Sequence, residues 1–156
     1  MQSVKNTEKK QQDLHQFVTM KIGHQSFGVS VEYVVDVLFP QKINAILLSR
    51  PEIVGSLNLR GRIVTALDIR ILLDIHDLLD IKSSMCVVVE HNDELFSLVV
   101  DSVGDVATVD TATIIKNPDN LSKFWQEISL GIFSMQDDLI VILDVDKVMA
   151  ALMEQK

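Results

Sequence analysis

The fold turns on one stretch: Ile53-Val54-Gly55-Ser56-Leu57-Asn58-Leu59-Arg60-Gly61-Arg62-Ile63-Val64-Thr65-Ala66-Leu67-Asp68. In an extended chain Ile53, Leu57 and Leu59 share one face, with Gly55 in phase where a side chain would otherwise stand. Arg60-Gly61-Arg62 suits a tight turn, because glycine takes positive φ at no steric cost. Ile63 to Leu67 then reads as the returning strand. Asp68 is placed to cap a short helix that carries Ile69, Leu72 and Leu73. The unit is strand, turn, strand, aspartate cap, helix, and it recurs. Laying residues 53–73 over 129–149, a shift of 76, pairs Gly55 with Gly131, Leu57 with Phe133 and Leu59 with Met135. The same shift pairs Ile63 with Leu139, Leu67 with Leu143, Asp68 with Asp144 and Leu72 with Val148. Two similar small β-modules are expected, and strand-rich modules close best as barrels that leave no bare edge.

The flanking sequence supplies the remaining strands. Val18, Met20 and Ile22 alternate with Thr19 and Lys21, Gly23-His24-Gln25 can turn, and Phe27, Val29 and Val31 alternate back. Val31, Val34, Val35 and Leu38 fall at i, i+3, i+4 and i+7, which predicts a short helix ended by Pro40. Met85-Cys86-Val87-Val88-Val89 is apolar enough to be buried on both faces. His91-Asn92-Asp93-Glu94 turns it into a second strand, and Val103, Val106 and Val109 continue extended. Asn117-Pro118-Asp119-Asn120 breaks the chain before a brief helical segment with Leu121, Phe124, Trp125 and Ile128. The stripe Val145, Val148, Met149 and Leu152 docks the last helix.

Composition bounds the function. At 156 residues, 47% hydrophobic and 23% charged, the chain can fill one core and stay soluble. Its formal charge of −8 argues against a nucleic-acid binder, which needs a cationic surface, and against an acidic membrane surface. No stretch is long enough for a membrane span, and the polar first sixteen residues lack the apolar core of a secretory signal. Residues 1–16 are expected to form a flexible tail, and 17–153 a single domain in the cytoplasm. With Cys86 as the one cysteine, no internal disulfide can form.

Catalytic signals are absent from the pattern. His15, His24, His76 and His91 share no metal-ligand spacing, and Cys86 lies in a valine-rich strand where a core thiol is expected. Asp68 and Asp144 both follow a strand and precede a helical stripe, so capping accounts for both. The rival enzymatic reading is a small β-barrel hydrolase in which one of them works with a nearby histidine. Asp101, Asp105 and Asp110 lack the glycine and terminal glutamate of a calcium loop. No cofactor is implied. What stays open is Asn58-Leu59-Arg60-Gly61-Arg62: either an ordinary hairpin with solvated arginines, or a turn that presents the planar fork of Arg60 at a module surface.

Residues 51–64, Pro51-Glu52-Ile53-Val54-Gly55-Ser56-Leu57-Asn58-Leu59-Arg60-Gly61-Arg62-Ile63-Val64, followed by Leu67-Asp68-Ile69-Arg70, resemble the signature of the CheW family of chemotaxis coupling proteins. Residues 17–36 resemble that family's opening, Val99-Val100-Asp101-Ser102-Val103-Gly104-Asp105-Val106 its second-module strand, and 131–147 its closing segment. Two departures stand out: Thr65 where the family commonly has proline, and Asp36 where it commonly has glutamate. The resemblance implies a mainly β fold: two SH3-like five-stranded β-barrel modules around a shared hydrophobic core, with short helices. It implies a non-enzymatic adaptor, recruited from the cytoplasm to receptor arrays, that ties the regulatory domain of the histidine kinase CheA to chemoreceptor tips. A CheW-like adaptor in another receptor–kinase pathway, such as one controlling surface motility, is the variant of that reading. Carried over by position, the receptor contacts are Val34 and Asp36 on the expected first helix, Gly55 and Arg60 on the signature strand, and Val103 and Val106 on the second-module strand. Val34, Val103 and Val106 would supply apolar contact, Gly55 a close backbone approach, and Arg60 a pairing held in place by Asp36. Core packing is the competing account of the three valines, above all of Val34.

Overall fold

The computed structural model describes residues 13–39, 41–45, 50–76, 80–119 and 121–154. Its strands are β1 (Leu14–Ile22), β2 (Gln25–Ser30), β3 (Val34–Leu38), β4 (Ile53–Leu59), β5 (Arg62–Leu67), β6 (Met85–His91), β7 (Glu94–Val100), β8 (Ser102–Asp110), β9 (Ser129–Met135) and β10 (Asp138–Leu143). Its helices are α1 (Ile69–Leu73), α2 (Lys123–Ile128) and α3 (Val145–Glu154). They build two five-stranded sheets, in the orders β8-β1-β2-β10-β9 and β3-β6-β7-β5-β4. The first sheet therefore joins the N-terminal hairpin to strands from the far end of the chain.

The two sheets share one plan. In each, a hairpin (β4–β5 or β9–β10) leads through an aspartate into a helix, and its second strand pairs in parallel with a strand of another hairpin. Thr65 to Leu67 lie opposite Phe96 to Leu98, and Ile140 to Ile142 lie opposite Ser26 to Gly28. Each sheet also curls until its two edges approach. Asn44 bridges Ser56 beside β4, and Ile115 bridges Ile132, the matching residue of β9. The 76-residue repeat is thus real in three dimensions, and each module is an SH3-like barrel.

The glycines shared by the repeat explain how the seams close. A methyl group on Gly55 would sit 2.2 Å from the Asn44 carbonyl oxygen, and one on Gly131 would sit 2.8 Å from that of Ile115. Any side chain there would push the bridging segment away.

Burial follows the strand alternation. Val87 and Val89 face the core between the modules, together with Val18, Met20, Ile22, Phe27, Leu98 and Met149. Cys86 and Val88, on the opposite face of β6, fill one barrel with Leu57, Val64 and Val99. Phe17, Phe133, Ile140 and Ile142 fill the other. A strand lining both a barrel and the shared core must be apolar on both faces, which is why residues 85–89 carry no alternation. Burial also pushes the Cys86 thiol pKa up, as befits an inert core thiol.

Two expectations change. The helix predicted over Val31 to Leu38 is a turn followed by strand β3, with Val34, Asp36, Val37 and Leu38 opposite Val89, Val88, Val87 and Cys86. A bulge between Val34 and Asp36 inserts Val35 and breaks the two-residue period, so the apolar spacing imitates a helix. Crowded β-branched residues with a free partner strand favour the extended form. The chain also becomes ordered strand at Leu14, opposite Asp110, rather than after residue 16. The rest of the expected tail, residues 1–12, lies outside the described residues, as do Pro40 and Asn120 of the expected chain breaks.

Candidate functional site

The turn between β4 and β5 consists of Arg60 and Gly61, both with positive φ (52° and 86°). Such a two-residue turn matches the twist of the strands it joins, at some strain for a non-glycine residue. The Asn58 side-chain oxygen accepts the Gly61 amide at 2.8 Å and pins that turn. Arg60 then reaches across the barrel seam, and its guanidinium donates to an Asp36 carboxylate oxygen at 3.0 Å. The other Asp36 oxygen accepts the Val37 amide at 2.8 Å. Aspartate, though a methylene shorter than glutamate, reaches its partner because the β3 bulge and the closed seam bring the edges together. Arg60 remains 79% exposed and Asp36 23%, so the pair orients a guanidinium at the surface more than it stabilises the fold.

The other proposed residues divide between the barrels. Val34 and Val103 are half-buried against the shared core, so part of each valine serves packing. Val106 is 52% exposed. Gly55 is buried, and the backbone that approaches it is this chain's own Asn44. Among the described residues no hydrogen bond or ion pair joins β8 to the Asp36–Arg60 pair. Instead β8 repeats β3. Val34 opposes Val89 and Val103 opposes Met20, while Val37 opposes Val87 and Val106 opposes Val18. Val34-Val35-Asp36-Val37 thus matches Val103-Gly104-Asp105-Val106, a likeness legible in the sequence once a second, ungapped register is tried.

Pattern reading missed the polar joints between the modules. Arg70, on α1, is 3% exposed and ion-paired with Asp101. Asp101 also accepts the Gly23 amide from the β1–β2 turn at 2.6 Å, tying one module to the other. On α3 the matching residue is Asp146, which accepts the Tyr33 hydroxyl at 3.0 Å and bonds the His91 ring at 2.9 Å. The bond to Asp146 raises the Tyr33 pKa. Isolated charges in apolar helices were the available signal, but their partners lie far away in sequence.

Asp68 and Asp144 are caps: Asp68 accepts the Arg70 amide at 3.0 Å and Asp144 the Lys147 amide at 3.2 Å. The hydrolase reading needed one of them to line an open pocket, and both are engaged with backbone. Among the described residues no group of three or more His, Cys, Asp or Glu is placed to hold a metal ion, and no helix is long and apolar enough to cross a membrane.

Two fused SH3-like barrels with a clasped arginine turn at one seam define a class of interaction domain. The profile of the CheW-like domain matches residues 16–153. The chain belongs to that family. Similar curated proteins are the chemotaxis protein CheW of Klebsiella aerogenes, 21% identical over 87% of this chain and 82% of its own, and that of Helicobacter pylori, 21% identical over 88% and 83%. A probable chemotaxis protein CheW of Rhizobium etli is 22% identical over 84% of each chain. The crystal structure of the scaffolding protein TtCheW from Thermoanaerobacter tengcongensis superposes with a TM-score of 0.78 at 23% identity, covering 89% of this chain and 90% of that one. At that identity the superposition speaks for the fold.

Proposed function

We propose that this chain is a non-enzymatic adaptor of chemotaxis signalling that couples the cytoplasmic tips of chemoreceptors to the regulatory domain of a CheA-type histidine kinase. The observation that carries the reading is the clasp of Arg60 by Asp36 across a barrel seam, on an exposed turn of a CheW-family domain. An arginine held in one direction at the surface offers a planar fork to a partner carboxylate at little further entropic cost. Val34 and Asp36 on β3, Arg60 on its turn, and Val103 and Val106 on β8 form the receptor-contacting set. Gly55 belongs to it by closing the seam behind Arg60. In this reading the protein works from the cytoplasm at receptor arrays and turns over no substrate.

The test is co-sedimentation with receptor-containing membranes, with and without the kinase, comparing the native chain with Arg60→Glu. The native chain is expected to pellet only when receptor is present, and the variant to stay in the supernatant with an unchanged thermal midpoint. Equal pelleting of both chains would overturn the assignment of Arg60, and no pelleting of the native chain with its cognate receptor would overturn the coupling role.

A further inference from the structure

The two barrels close their seams differently, and the difference exposes a vacant counterpart of the arginine clasp. Asp105 on β8 holds the position that Asp36 holds on β3, and Gln136 of the β9–β10 turn holds the position of Arg60. Among the described residues the Asp105 carboxylate has no hydrogen-bond or ion-pair partner. Its backbone carbonyl oxygen accepts the Thr19 hydroxyl at 2.6 Å, and the residue itself is exposed. Beside it runs a groove of about 380 Å³ along the outer edge of β8, from Asp105 to Asp110, with Phe133, Ser134 and Met135 of β9 on its far side. β8 and β9 are the two ends of their sheet and flank the groove, with the seam bridged beside it by Ile115 at Ile132. The charged residues lining the groove are both carboxylates, and half-exposed Val106 supplies apolar surface between them.

We propose that this groove takes an arginine-bearing segment of the receptor, whose guanidinium sits on Asp105 as Arg60 sits on Asp36. The proposal rests on the receptor reading above and adds the chemistry of the partner's side chain. The molecule itself supplies the template: where a guanidinium is available within the chain, this seam position binds it, and where Gln136 replaces it, the carboxylate is left for a cation from outside. A guanidinium is favoured over an ammonium because its planar fork holds its direction when it donates to a carboxylate oxygen, as Arg60 does to Asp36.

The experiment is a co-sedimentation titration with receptor-containing membranes, using the native chain, Arg60→Glu, Asp105→Asn, Gln136→Arg and the Asp105→Asn/Gln136→Arg double variant. Each chain is first checked for a native thermal midpoint. Asp105→Asn is expected to weaken receptor binding about tenfold, as loss of one charge-assisted contact, and to flatten its salt dependence. Gln136→Arg is expected to weaken binding likewise by filling the clasp from within, and to add nothing in the Asp105→Asn background. If Asp105→Asn binds as the native chain does while Arg60→Glu has lost binding, this inference falls and the receptor reading stands. If all variants bind as the native chain does, this inference and the assignment of Arg60 both fall while the coupling role stands. Equal loss from Gln136→Arg with and without Asp105 also overturns it. So does a salt-dependent self-association that Asp105→Asn abolishes without touching receptor binding, an outcome that gives the groove to a second copy of the chain.

Discussion

The Arg60–Gly61 turn and the Gln136–Asp137 turn occupy the same place in two barrels of the same plan. Around the first lie Arg60 and Arg62, with Asp36 across the seam. Around the second lie Asp137 and Asp138, with Asp105 across the seam. The first has a cation to clasp and Asn58 to pin its backbone. The second has Ser134 in place of Asn58, and both of its turn residues are non-glycine with positive φ, 50° and 64°. Backbone geometry is therefore common to the modules, while charge is inverted between them. One scaffold can carry two dissimilar turns because turn side chains contribute little to the core and are free to diverge.

The module joints sharpen this comparison, since Arg70 and Asp146 stand at matching positions of α1 and α3. Truncating Arg70 opens buried space and removes a charge-assisted bond to Asp101, which at 38% exposure can rehydrate, so Arg70→Ala should cost about 2–3 kcal/mol. Asp146 is 58% exposed, and Asp146→Ala should cost about 1 kcal/mol or less. Urea unfolding of the two variants measures both, and equal costs would mean that the joints are energetically alike despite their burial.

Glycine substitution tests whether the seams are equally tight. Gly55→Ala drives a methyl group to 2.2 Å from the Asn44 carbonyl oxygen, whereas on Gly131 the backbone clash is milder, with the Ile115 carbonyl oxygen at 2.8 Å and the movable Ile114 Cγ2 at 2.7 Å. We expect about 3 kcal/mol for Gly55→Ala and about 1–2 kcal/mol for Gly131→Ala, on the scale of local overpacking. Denaturant midpoints that reverse this order would break the account of seam closure.

The smallest effect concerns the caps. Burial raises the Asp68 pKa, opposed by the Arg70 amide and the Arg70 charge. A carboxyl with a raised native pKa binds its proton more readily folded than unfolded. Stability from this group therefore falls as pH rises from the ordinary aspartate value, about 3.9, through the native value, and is level above it. Asp68→Asn keeps a capping oxygen and removes that slope, so at neutral pH it should equal or slightly exceed the native chain. A native-like slope in the variant, read from urea midpoints across acidic pH, would assign the dependence to another group.

Much of this architecture was legible in the sequence because it is local. The alternation in residues 18–22 and 63–67, the turn at Arg60-Gly61 and the caps at Asp68 and Asp144 depend on neighbours a few residues apart. The 76-residue repeat was legible for the same reason, since each copy must satisfy the same local geometry. The helix expected over residues 31–38 shows where local reading stops. Val34, Val35 and Leu38 carry a helical spacing only because a bulge inserts Val35, and what decides the matter is β6, some fifty residues further on. The resemblance put Asp36 beside Arg60, but whether an aspartate could reach depended on how far the barrel curls, which the Gly55–Asn44 contact decides. The free carboxylate of Asp105, the Arg70–Asp101 joint and the groove along β8 were likewise matters for tertiary structure alone. Strand order and seam closure bring together groups with no periodic relation in the chain, so their energies leave no pattern in the sequence. Periodicity determined two similar β-modules and a tight arginine turn, and only the closing of the barrels decided which charges meet and which stay apart.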